Sequence, residues 1–233
     1  MKKKLLLLTI AVLCFASFAS ADTFTTYGTR VAQNPTDIID WGQLGPDFTV
    51  IGSPASVTSF NGLGATASVP GPVMVTFVQT CYCGLGSWAG NFDSGENLLY
   101  NGNGFGNGPS PLTIAFASGV SSVGFEISDT FYGAFTATLG VYNGTNLLYS
   151  LTLPGVSNGN ADGSALFMGV GDLTGPNITS ILITDVGLGG PNDFAIDAVS
   201  LTQAATVPEP GSLALLGTGL LGVAGAVRRK MDR

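Results

Sequence analysis

The chain has 233 residues, with 8 basic and 15 acidic side chains, no histidine, 34 glycines and 12 prolines. Without histidine it cannot build a Ser-His-Asp triad, a Cys-His pair or a His-ligated zinc centre. Seven of the eight bases lie in the two terminal segments, which leaves Arg30 alone against 13 acids between residues 22 and 206; that balance argues against nucleic-acid binding and suits cations, neutral sugars or plain solubility outside the cell.

In chain order, Lys2, Lys3 and Lys4 precede an apolar run from Leu5 to Phe18, closed by the small residues Ala19, Ser20 and Ala21. This is the layout of a secretory signal peptide over residues 1–21, with cleavage expected after Ala21 and an uncleaved anchor as the alternative. Cys14 follows Leu13, which is too large for a lipobox, so it is expected to leave with the peptide. Residues 22–206 are then the expected mature domain, long enough for one domain with a real core. Gly and Pro make about a fifth of the chain, below the low-complexity level, and 45% apolar residues is too many for disorder.

Short strands are predicted at Thr23–Val31, Phe48–Ile51, Val57–Phe60 and Ala65–Val69, divided by Gly, Pro and Asn. A stronger strand is predicted at Val73–Gln79. After the long Gly- and Asn-rich stretch from Thr80 to Pro111 come Leu112–Ala117 and Val120–Ser128, separated at Gly119. Ala134–Tyr142 alternates well and turns at Asn143-Gly144, a pair that tolerates positive φ, into Asn146–Leu153. Ala165–Val170, Ile178–Thr184 and Phe194–Leu201 complete the set. Ten or so strands with regular turns, and no repeat of constant period, predict an all-β, jelly-roll-like β-sandwich.

Few motifs carry chemistry. There is no phosphate-binding loop and no lysine in the mature domain for a Schiff base. Glu96 and Glu126 are its only glutamates; a carboxylate pair for glycoside hydrolysis stays open on composition, though nothing local sets either beside an aspartate. Cys81 and Cys83 point to one face of an extended chain. They are read as a local disulfide, a free thiol pair or a soft-metal site, and the third is poor without further ligands.

In the long stretch, Trp88 and Phe92 either stack on sugar faces or plug the end of the core. Asn91, Asp93 and Glu96 supply oxygens at close spacing, as a calcium loop does, without EF-hand spacing; the alternative is that they cap turns. The closing segment Asp193–Leu201 resembles the last strand of jelly-roll carbohydrate-binding modules, matching at Phe194, Ile196, Asp197, Val199 and Leu201. That resemblance implies Asp197 as a ligand of a structural calcium, a site separate from Asn91/Asp93/Glu96; the alternative is a surface hydrogen-bonding residue.

Residues 207–233 read Val207-Pro208-Glu209-Pro210, then an uncharged run from Gly211 to Val227, then Arg228-Arg229-Lys230. As a helix the run spans roughly 26 Å, the short end of what crosses a bilayer, and the basic residues hold its end in the cytoplasm. This tail resembles the PEP-CTERM sorting signal of Gram-negative bacteria, also known under an ice-binding-protein C-terminal label. The resemblance implies an exosortase, a membrane protease-transpeptidase, as partner, with Glu209 a recognition residue. The expected function is thus a non-catalytic, exported envelope or matrix protein, anchored in the inner membrane before processing and binding extracellular polysaccharide. A secreted glycan-acting hydrolase is the alternative, and an adhesin or ice-binding surface protein a second, which the scattered threonines count against.

Overall fold

The computed structural model describes residues 23–71, 73–78, 91–101, 111–160, 162–187, 190–191 and 193–203. The chain divides into two units, Met1–Gln203 and Ala204–Arg233; the second lies outside the described residues. So do residues 1–22, Cys81, Cys83 and Trp88. Among the described residues no helix is long and apolar enough to cross a membrane.

Among the described residues there are fifteen strands: β1 Phe24–Tyr27, β2 Asp37–Ile39, β3 Val50–Gly52, β4 Ala55–Thr58, β5 Gly64–Ser68, β6 Val73–Val78, β7 Asn97–Tyr100, β8 Leu112–Asp129, β9 Gly133–Asn143, β10 Asn146–Ser157, β11 Leu166–Asp172, β12 Ile178–Gly187, β13 Gly190–Pro191, β14 Phe194–Ile196 and β15 Val199–Gln203. Among the described residues one short helix, α1 (Arg30–Gln33), and one 3-10 turn, η1 (Trp41–Leu44), interrupt them. Every strand pair is antiparallel.

The fold is a jelly-roll-like β-sandwich organised on β8. The first half of β8 pairs with β5 (Ala67↔Ile114) and β12 (Ile181↔Ile114). Its second half pairs with β11 (Met168↔Phe125), with β15 (Ser200↔Gly124) and with β14 (Ile196↔Ile127). The partners change around Gly119, predicted as a break between two strands but found inside one 18-residue strand. A Cβ there would lie 1.9 Å from the Pro176 carbonyl oxygen, so only glycine lets the two backbones approach this closely.

The core follows the period-2 alternation. On β9, Ala137, Leu139 and Val141 are fully buried, while Thr138 between them turns outward and bonds Thr152 at 3.0 Å. Ile114, Val123, Phe125, Ile127, Ile181 and Val199 meet them in one apolar cluster. The second half of β8 is covered on its other face as well, because α1 lies against it.

That helix stands where the first predicted strand was to continue. The strand stops at Tyr27; Thr29 then caps α1 by accepting the Ala32 N–H at 3.1 Å, and Asn34 ends it at φ 51°. The predicted strand Phe194–Leu201 is likewise divided, with Asp197 and Ala198 in the gap between β14 and β15.

Candidate functional site

The gap at Asp197 holds the site. β14 lies between β7 and β8, with Ile196 opposite Leu99 on one side and Ile127 on the other. Antiparallel register therefore brings the residue just before β7, Glu96, and Glu126 of β8 beside Asp197. One carboxylate oxygen from each of the three lies within 4.8 Å of the others. Glu96 is set by a turn in which its N–H donates to the Asp93 carbonyl at 3.3 Å and Gly95 takes φ +90°.

Asp197 is fully buried and held on every side. Its Oδ1 accepts the Glu126 N–H at 2.6 Å, and its own N–H donates to the Glu126 carbonyl at 3.1 Å. Its carbonyl accepts the Trp41 Nε1–H at 2.7 Å. Arg30 forms an ion pair with its Oδ2 and donates to the Ala198 carbonyl at 3.1 Å. A buried amide network positions Arg30: Gln33 Nε2 donates to Ser122 Oγ and to the Ser200 carbonyl, both at 3.1 Å, and Ser200 Oγ donates to Gln33 Oε1 at 2.5 Å. Gly124 leaves the room for this, since a Cβ on it would meet Gln33 Oε1 at 2.4 Å.

Three carboxylates face one guanidinium, so their charge is not balanced. Burial pushes Glu126 up to about 7, with the neighbouring Glu96 adding to the rise and Arg30 opposing it. Burial also raises Glu96 and Asp197 against the pull of Arg30. Glu96 Oε2 is buried with no hydrogen-bond partner. An all-oxygen donor set with an orphaned carboxylate oxygen fits a hard cation such as calcium, whose charge would offset the burial that disfavours these carboxylates.

Of the two calcium candidates predicted as separate, Glu96 and Asp197 lie together; Asp93 stays near enough for its charge to raise Glu96 and Glu126, while Asn91 is engaged elsewhere. Asn91 is fully buried; its Nδ2 donates to Ser164 Oγ at 3.1 Å and its Oδ1 accepts the Asn158 N–H at 3.0 Å, so it ties the loop after β10 to the core. Asp93 is exposed, against Gly163. Phe92 is 1% exposed and packs with Leu98, Tyr100 and Ala195, so its ring offers no face to a sugar. Sequence reasoning missed Glu126 and Arg30 as members of the site. The signal for Arg30 was its solitude, since a lone base among 13 acids has many available partners.

Residues 206–230 match the PEP-CTERM protein-sorting motif, so the tail is such a motif. No curated protein matches the chain. Among solved structures the chain is similar to a DUF4465 family protein from Bacteroides caccae, at 11% identity over 72% of this chain and 100% of that one, with a TM-score of 0.46. It is also similar to TmCBM61 in complex with β-1,4-galactotriose, at 14% identity over 70% of this chain and 93% of that one, with a TM-score of 0.18.

Proposed function

We propose that this chain is an exported, non-catalytic protein of the Gram-negative envelope or extracellular matrix, sorted by an exosortase, whose β-sandwich binds extracellular polysaccharide. The observation that carries the reading is the sorting motif at residues 206–230. Val207-Pro208-Glu209-Pro210 is presented to the exosortase. The apolar segment behind it holds the precursor in the inner membrane, with Arg228, Arg229 and Lys230 on the cytoplasmic side. Calcium at Glu96, Glu126 and Asp197 ties the ends of β7, β8 and β14 together. Electrophoresis of the exported protein through gels containing neutral or acidic polysaccharide, with and without millimolar calcium, tests the binding half. Retardation by at least one polysaccharide is expected, and none by any of them refutes it.

One observation favours a second reading, glycan hydrolysis. A glutamate raised to about 7 beside further carboxylates has the division of labour of an acid and its ionised partner. Against it, Asp197 already has its two oxygens engaged, by Arg30 and the Glu126 N–H. Release of reducing ends from a polysaccharide, lost in Glu126→Gln, would establish this second reading.

A further inference from the structure

A groove of about 580 Å³ lies beside η1, its lining including the apolar Pro35, Ile38 and Phe60 and the polar Asp40, Gln43 and Thr58. Phe60 is 92% exposed, and the backbone that carries it is fixed. It sits in the turn between β4 and β5, where the Ser59 N–H donates to the Leu63 carbonyl at 2.8 Å and Ser59 Oγ accepts the Leu63 N–H at 2.9 Å. The Phe60 N–H itself donates to the Ile38 carbonyl at 2.9 Å. Asn61 ties the turn back to β2, through its N–H to Asp37 Oδ1 and its Nδ2 to the Thr36 carbonyl, both at 2.9 Å. The ring is an apolar face held out in water on a rigid support, which lowers the entropy lost when a ligand stacks on it.

The polar part of the lining is equally set. Gln43 Nε2 donates to the Asp40 and Thr58 carbonyls at 2.7 and 3.0 Å, and its Oε1 accepts the Thr58 N–H at 2.8 Å. Asp40 Oδ1 accepts from Gly42 N and Asn97 Nδ2, at 2.6 and 2.9 Å. The Asp40 carboxylate is exposed and has acceptor sites beyond those two bonds. Burial pushes Asp37 up, but hydrogen bonds from Ser59, Asn61, Gln203 and Ile38 outweigh it and hold its carboxyl below the ordinary value. The groove therefore carries negative charge and, among its described lining residues, no base.

We infer that this groove binds a neutral polysaccharide chain, with one sugar ring stacked on Phe60 and its hydroxyls donating to Asp40 and Thr58. The inference rests on the polysaccharide reading and gives it a location. A polyol supplies the donors that an acceptor-rich wall lacks, and its C–H face matches Phe60, Ile38 and Pro35. The carboxylates repel an anionic polymer, which fixes the ligand class by charge. Phe92, buried with Leu98, Tyr100 and Ala195, takes no part.

The test uses the exported protein in affinity gels containing β-glucan, glucomannan or xylan as neutral probes and alginate as the acidic one. Phe60→Ala should weaken binding of a neutral probe at least tenfold with the unfolding midpoint unchanged, and Phe60→Trp should retain it. Thr58→Val, which keeps the backbone bonds to Gln43, is the second variant and should also weaken binding. Wild-type binding that all three variants preserve overturns the groove and leaves the polysaccharide reading standing. No retardation of wild type by any of the four probes removes both. Binding to alginate alone contradicts the neutral class. Self-association in sedimentation that Phe60→Ala abolishes, without glycan binding, assigns the groove to a second copy and overturns the proposal.

Discussion

Arg30, at the start of α1, forms an ion pair with Asp197, 167 positions away in the gap between β14 and β15. The two ends of the pair are unequal: the Arg30 side chain is 25% exposed and that of Asp197 is fully buried. Removing the arginine therefore leaves a buried carboxylate without its cation, whereas an unpaired Arg30 reaches water. Arg30→Ala should destabilise the domain by about 3 kcal/mol at pH 8, the low end for a buried pair because Arg30 is partly exposed. The loss should shrink from pH 8 to pH 5, because burial favours the protonated form of Asp197, which needs no cation. Chemical denaturation at the two pH values measures it; an equal loss at both contradicts the assignment.

Glu126 sets a second pH dependence. Its folded value of about 7 lies above its ordinary value of 4.5, so the fold favours its protonated form. The stability it contributes is full below pH 4.5 and is lost as pH rises through about 7. With chelator present, wild type should lose about 2 kcal/mol over that range, after allowance for partial exposure, and Glu126→Gln should lose less. Millimolar calcium at pH 8 should raise the wild-type midpoint by roughly 5 °C and move Glu126→Gln little. An unchanged wild-type midpoint between chelator and calcium rejects the cation site.

A further buried acid, Asp185, behaves alike without a guanidinium. Asp185 is fully buried, and burial, with the charge and side-chain hydrogen bond of the neighbouring Asp129, pushes it up to about 8. Its contribution is present at low pH and lost as pH rises through about 8. Asp185→Asn cannot ionise and can donate an N–H to Asp129. Unfolding at pH 9 should show it more stable than wild type by about 1–3 kcal/mol, with the difference closing by pH 5. A variant less stable than wild type at pH 9 contradicts this.

Phe92 belongs to packing. Phe92→Ala should destabilise the domain by about 3–5 kcal/mol. Below its lowered midpoint it should bind polysaccharide as wild type does. A stable variant that has lost binding would return the ring to the ligand.

The all-β character was legible because alternation is local: Ala134–Tyr142, the turn at Asn143-Gly144 and the returning strand were read close to their true bounds. β7 was not legible. Leu98, Leu99 and Tyr100 are all buried, so the strand shows no alternation and hides among glycines and asparagines. The site was legible in pieces. Glu96 and Asp197 were named, but only the register of β7, β14 and β8 brings positions 96, 126 and 197 together, and register over such separations leaves no local trace. The groove was illegible for the same reason, since Phe60 reads as the end of a strand until its turn is seen to fold back on β2.

The central claim is that an exosortase sorts this protein through its tail, and the mass of the exported chain tests it most directly. In an exosortase-positive Gram-negative host, the exported protein should lack the peptide after Val207-Pro208-Glu209-Pro210, and in a host without the enzyme the full tail should remain in the membrane fraction. Exported protein from the positive host that still ends at Arg233 would contradict the account.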